Sequence, residues 1–183
     1  MLTDFQKKKL TKVFALYDAD HDGYIGKEDY ERTARNLVTE YGFREGSPEY
    51  QKVYASYLGA WEGTRRMADR DNDNRISLEE HLAGYDHMLA TAGTAAFQAI
   101  SNNMLSLADI DGDGKWSESE YVRSLLAFGG GTIDTARASA AFKKLDGDGD
   151  GYIDQTEMVS ITHDFFASND PQARGNWLMG AID

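Results

Sequence analysis

Four twelve-residue stretches carry acids in one register: "DADHDGYIGKED" at 18–29, "DRDNDNRISLEE" at 69–80, "DIDGDGKWSESE" at 109–120 and "DGDGDGYIDQTE" at 146–157. Each has Asp at positions 1, 3 and 5, an apolar residue at 8 and an acid at 12. Carboxylates this close repel one another unless a cation sits among them. Ca²⁺ is a hard cation that takes six to eight oxygens at roughly 2.3–2.6 Å, and side chains at alternate loop positions can converge on one such ion. Position 7 offers its backbone carbonyl, so its residue type is free. Position 12 opens the following helix and can offer two oxygens.

The candidate ligands follow. The first loop offers Asp18, Asp20, Asp22, the carbonyl of Tyr24, and Asp29. The second offers Asp69, Asp71, Asp73, the carbonyl of Arg75, and Glu80. The third offers Asp109, Asp111, Asp113, the carbonyl of Lys115, and Glu120. The fourth offers Asp146, Asp148, Asp150, the carbonyl of Tyr152, and Glu157. Position 6 needs a turn with positive φ, which Gly23, Gly114 and Gly151 accept without a Cβ clash. Asn74 departs, and Asn is the next most tolerant type there. The apolar residues at position 8 (Ile25, Ile76, Trp116, Ile153) predict short antiparallel bridges between paired loops.

The acidity is local to these loops. Of 31 acids, sixteen fill positions 1, 3, 5 and 12, and Asp154 at position 9 of the last loop makes seventeen. The fourteen at other positions are fewer than the 19 Lys and Arg, so the net charge of −12 is a property of the loops. Three to four Ca²⁺ are expected. Asn74, Arg70 and Arg75 make the second loop the one in question. Asp29 is one methylene shorter than the Glu that ends the other loops, which lowers the coordination number toward six. Six oxygens suit Mg²⁺, so Mg²⁺ is expected above all at the first loop.

Helices must hold the loops. Thr3 and Gln6 form a capping box ahead of an apolar stripe at Phe5, Leu10, Val13, Phe14 and Tyr17. Tyr121, Val122, Leu125, Leu126 and Phe128 run to "GGG" at 129–131, a helix stop. Asp134 reads as a cap before Ala138, Ala141, Phe142 and Leu145, and Met158, Ile161, Phe165 and Phe166 follow the last loop. The unit is helix, loop, helix, four times over. One unit leaves an apolar face open, so loops pair first with second and third with fourth. The predicted halves are 1–92 and 93–183, with a tail at 165–183. Loop starts are 51, 40 and 37 residues apart, and the long first gap holds Tyr50, Tyr54, Tyr57, Leu58 and Trp61 at helical spacing, read as core.

Composition closes off other classes. With no Cys, disulfides and thiolate metal sites are excluded. The charge argues against nucleic acid and anionic membranes, and no apolar run is long enough to cross a bilayer. The N-terminal stretch is amphipathic and lacks a leader pattern, so secretion is not expected. No Ser, His or Asp constellation supports catalysis, so an enzyme is not expected.

The four loops, the stretched first pair and the tail "FFASNDPQARGNWLMG" at 165–180 resemble the sarcoplasmic calcium-binding proteins and their bacterial relative calerythrin. The resemblance covers essentially the whole chain. It implies an all-α fold of four EF-hands in two pairs, packed into one globule with short β bridges. It also implies a cytosolic buffer of Ca²⁺ and often Mg²⁺. Many members have lost ligands in one loop, commonly the second, whereas this chain keeps every acid there. The alternative is a sensor that opens a groove to a target helix. Against it, the six Met are scattered, and Trp177, Leu178 and Met179 could plug a groove from within. A third reading is a coelenterazine-binding photoprotein, which would use cavity-lining His. His21, His81, His87 and His163 are each read instead as surface or satisfied structural residues. A monomer is expected, and any protein target is left open.

Overall fold

The computed structural model describes residues 1–91, 93–129 and 133–180. In chain order the elements are α1 (Asp4–Tyr17), β1 (Tyr24–Ile25), α2 (Lys27–Glu40), α3 (Pro48–Ala68), β2 (Ile76–Ser77) and α4 (Leu78–Thr91). There follow α5 (Gly93–Ala108), β3 (Trp116–Ser117), α6 (Glu118–Gly129), α7 (Thr135–Leu145), β4 (Tyr152–Ile153), α8 (Gln155–Ala167) and a 3₁₀ turn at Arg174–Trp177. Helix α6 is described as far as Gly129, and the rest of the predicted stop, Gly130 and Gly131, lies outside the described residues.

Local signals set the helix ends. Gln6 N–H bonds the Thr3 hydroxyl and the Gln6 amide oxygen accepts from Thr3 N–H, closing the capping box. Asp134 accepts from Arg137 N–H and caps α7. The loops pair as the apolar positions require. Ile25 stands opposite Ile76, and Trp116 opposite Ile153, each pair antiparallel. All four side chains are buried.

Two apolar clusters form the interior, and both cross the chain midpoint. Leu2, Leu10 and Val13 of α1 and its lead-in pack with α5 to α8. Leu107 and Ala127 pack with the helices of the first half. Of the long-gap residues, Tyr57 and Trp61 are core, while Tyr50 and Tyr54 stack on each other at the edge. The tail closes the first of these clusters, with Leu178 and Met179 buried and Trp177 packed beside them.

Buried Lys9 ties the tail down. Its ammonium donates to Asp164 O, Ser168 O and Asn176 Oδ1 at 3.1, 2.9 and 3.3 Å. A cation at these last carbonyls of α8 also complements the helix dipole.

Two glycines carry opposite expectations. A Cβ on Gly175 would run into Ile161 O and the Asp164 side chain, whereas one on Gly59 within α3 meets nothing within 4 Å. Gly175→Ala should therefore lower stability by about 2 kcal/mol through overpacking. Gly59→Ala should raise it by about 0.5–1 kcal/mol. Urea unfolding of the metal-free chain measures both, and equal signs would contradict this account.

Candidate metal centres

Each loop folds its carboxylates inward around its own backbone N–H groups. In all four, the position-6 N–H donates to Oδ2 of the position-1 Asp. These bonds are Gly23 to Asp18 at 3.1 Å, Asn74 to Asp69 at 3.2 Å, Gly114 to Asp109 at 3.1 Å and Gly151 to Asp146 at 3.0 Å. Position 7 donates to the position-5 Asp throughout: Tyr24, Arg75, Lys115 and Tyr152 bond Asp22, Asp73, Asp113 and Asp150.

The turns require two left-handed residues per loop, where sequence reasoning found one. Position 6 has positive φ in every loop, Asn74 included at 63°. Position 4 does so too, at His21, Asn72, Gly112 and Gly149. The signal was available, because all four are residue types that tolerate this region.

Carboxylate oxygens gather in each loop to within 4.8 Å of one another. The first two loops bring together Asp18, Asp20 and Asp22, and Asp69, Asp71 and Asp73. The last two bring together Asp109, Asp111 and Glu120, and Asp146, Asp148 and Glu157. Asp29, Glu80, Asp113 and Asp150 stand outside these clusters.

Position 12 is held by the backbone. Asp29 accepts from Ala19 N at 3.1 Å and Gly26 N at 2.7 Å. Glu80 does the same with Arg70 and Ser77, and Glu120 with Ile110 and Ser117. Burial raises the Asp29 pKa, with its two backbone bonds opposing and Asp20 and Asp18 adding repulsion. Glu80 meets less burial, and bonds from Ser77, Arg70 and Asp71 outweigh it to lower its pKa.

The fourth loop differs. Glu157 Oε1 accepts from Gly147 N at 2.7 Å and from Arg174 of the tail at 3.2 Å. That guanidinium also bonds Leu145 O and lies where a Cβ on Gly147 would stand. The tail thus reaches a candidate ligand, a contact with no local sequence signature.

Position 7 side chains, free as ligands, pair across the loops. The Arg75 guanidinium lies 3.8 Å from the Tyr24 ring centroid, and the Lys115 ammonium 5.2 Å from that of Tyr152. Each pair has a Tyr facing a cation. Arg75 also bonds Asp22 Oδ2 at 2.5 Å, setting a positive charge beside a first-loop acid.

The donor set fits a hard divalent cation: all oxygen, clustered and anionic. The second loop adds an observation of its own. Asp69 Oδ1 is buried and has no partner, whereas its equivalents Asp18, Asp109 and Asp146 Oδ1 each accept an N–H. A bare buried carboxylate oxygen is costly without a partner, and a cation would supply one.

A family model described as "EF hand" matches residues 10–32, 66–80 and 139–161. Calerythrin of Saccharopolyspora erythraea is 23% identical over 169 residues, covering 90% of this chain and 94% of the relative. Sarcoplasmic calcium-binding proteins II, V, VI and VII of Branchiostoma lanceolatum are 28% identical over 189 residues, with 98% of each covered. A solved calcium-binding protein of Streptomyces coelicolor, described in terms of prokaryotic calcium-mediated regulation, superposes with a TM-score of 0.70. It is 29% identical and covers 88% of this chain and 97% of that one. The chain carries EF-hand segments and is similar over nearly its whole length to calerythrin and the sarcoplasmic calcium-binding proteins. It binds calcium, and the Branchiostoma and Streptomyces relatives are described as calcium-binding proteins. No helix among the described residues is long and apolar enough to cross a membrane.

Two substitutions read the loops in opposite senses. Asp69→Ala should lower the number of bound Ca²⁺ by one. Arg75→Gln keeps the position-7 carbonyl and removes a cation beside Asp22. It should tighten calcium at the first loop severalfold, about 1 kcal/mol after screening. Calorimetric titration, with the Gly23 amide resonance reporting the first loop, measures both; an unchanged count in Asp69→Ala would make the second loop a non-binder.

Proposed function

We propose that this protein is a cytosolic calcium buffer that works as a monomer and holds one ion in each of its four loops. The observation that carries the buffering reading is the docked tail. Leu178 and Met179 are buried in the core cluster that α1 shares with α5 to α8, Tyr121 donates to Trp177 O at 2.9 Å, and Lys9 and Arg174 fix the chain on either side. A sensor needs an apolar groove free for a target helix. Here the chain's own C-terminal residues occupy that ground.

The proposed ligands are the carboxylates at positions 1, 3, 5 and 12 with the position-7 carbonyls of Tyr24, Arg75, Lys115 and Tyr152. Positions 1–92 and 93–183 act as two pairs. Metal binds only the folded loop, so binding energy becomes folding energy. Calcium added to the metal-free chain should leave hydrophobic-dye binding flat or lower it. A strong rise, with capture of an amphipathic helical peptide, would make the protein a sensor.

The first loop is the proposed Mg²⁺ site. Asp29 is tied to Ala19 and Gly26 and stands outside the cluster of Asp18, Asp20 and Asp22. Reaching an ion with both oxygens asks more of it than of a Glu. Six-fold coordination favours the smaller ion. Asp29→Glu should raise the ratio of Ca²⁺ to Mg²⁺ affinity at the first loop, read from the Gly23 amide in paired titrations. An unchanged ratio would remove the chain-length explanation.

A further inference from the structure

A cavity of about 310 Å³ lies among α1, α3, α4 and α5, and Ile25 of the first loop is part of its wall. That volume is at the lower end of small-molecule sites, about 300–1,000 Å³. Its wall is aromatic: Tyr17, Tyr30, Tyr85 and Phe166 contribute. Tyr85 and Phe166 stack with centroids 5.1 Å apart and planes at 6°, which presents flat faces.

Two glycines open this cavity to the surface. Gly59 and Gly63 stand one turn apart on α3, both exposed and both in its lining. A Cβ on either meets nothing within 4 Å, so no neighbour demands glycine there. Glycine nonetheless weakens a helix interior. Gly84 is the contrast, since a Cβ there would press on Ala68 and the Met67 carbonyl. Exposed Ala99 and Asn103 of α5 line the same cavity. Small residues on α3 face small or short ones on α5 and leave a mouth.

The polar groups of the wall ask for a donor. Thr64 donates to Ala60 O at 3.0 Å, so in its 2.8 Å bond with Tyr30 the phenol is the donor. The Tyr30 oxygen also shares a hydrogen bond with the Tyr17 phenol, which leaves it one lone pair. His81, read from sequence as a satisfied structural residue, is 1% exposed and satisfied on one side only. Its Nε2 can only donate to Leu10 O, at 3.1 Å, which leaves Nδ1 an acceptor, and Nδ1 has no partner.

We propose that this cavity binds a small planar aromatic molecule carrying one hydroxyl or N–H donor, admitted between Gly59–Gly63 and Ala99–Asn103. The donor pairs with the acceptors that Tyr30 and His81 supply, and the ring lies against the tyrosine wall.

The test uses the full calcium-saturated chain and 2-naphthol, followed by its fluorescence, with 2-methoxynaphthalene as the match that lacks a donor. Saturable binding of one equivalent is expected, with 2-naphthol preferred about tenfold, the worth of one hydrogen bond. Gly63→Leu and Ala99→Trp, on opposite sides of the mouth, should each weaken binding at least about tenfold, the scale of one lost contact. Helical content and the calcium count should stay unchanged. Tyr30→Phe should reduce the preference for 2-naphthol, and adding His81→Leu should abolish it. Non-saturable uptake, or undiminished affinity in both mouth variants, would overturn the site. A full preference in the double variant would overturn the assignment of its acceptors.

Discussion

Repulsion among carboxylates is the constraint on which the rest of this structure depends. Each loop holds its acids within a few ångströms, and the fold survives because backbone N–H groups point into the same space. The position-6 N–H bonds the position-1 Asp in every loop, and the position-7 N–H bonds the position-5 Asp. These amides are a partial positive charge fixed in place. Aiming them inward requires left-handed residues at positions 4 and 6, which is why His, Asn and Gly occupy those places. A dication completes what the amides begin. The short strands then transmit the arrangement, since Ile25–Ile76 and Trp116–Ile153 fix each loop to its partner across a buried contact.

The tail answers a second constraint. Two EF-hand pairs leave apolar ground uncovered, and in this chain the segment after α8 covers it. The cover is fastened with charge as well as apolar area. Lys9 holds the end of α8 and Asn176, and Arg174 holds Leu145 and Glu157. Because Glu157 closes the fourth loop, that loop and the tail share a residue pair. In loops one to three backbone amides hold both oxygens of the position-12 carboxylate, and in the fourth Gly147 N–H and Arg174 share one oxygen, Oε1 of Glu157.

Most of this was legible in the sequence, for reasons that are local. Register and caps depend on residues within a dozen positions of one another, and loop pairing follows from the same register recurring, so Thr3, Asp134 and the position-8 residues could be placed from types and spacing. What stayed hidden depends on contacts made across the chain. Arg174 meets Glu157 only because the tail folds back. Arg75 meets Asp22 only because two loops lie side by side, although a Tyr facing a cation at position 7 in both pairs was a readable hint. His81, just past Glu80, reads from sequence as a surface or satisfied structural residue. Its burial comes from α1, whose Leu10 carbonyl accepts a hydrogen bond from its Nε2–H.

The long first gap shows how one insertion can serve two ends. Its length goes mostly into α3, at 21 residues the longest helix among those described. One face carries Val53, Tyr57, Ala60 and Trp61 into the core, as the aromatic spacing implied. A shorter helix could bury those four. The remaining turns carry Gly59 and Gly63, which bury nothing and loosen the helix they sit in. Helix α3 also sends Lys52 to the Asp109 and Ile110 carbonyls at the start of the third loop. The helix therefore bridges the two pairs, and its weakest residues lie in that bridge. Core formation accounts for the aromatics and bridging accounts for Lys52. Neither accounts for two glycines with open space above them, whereas the cavity they border does.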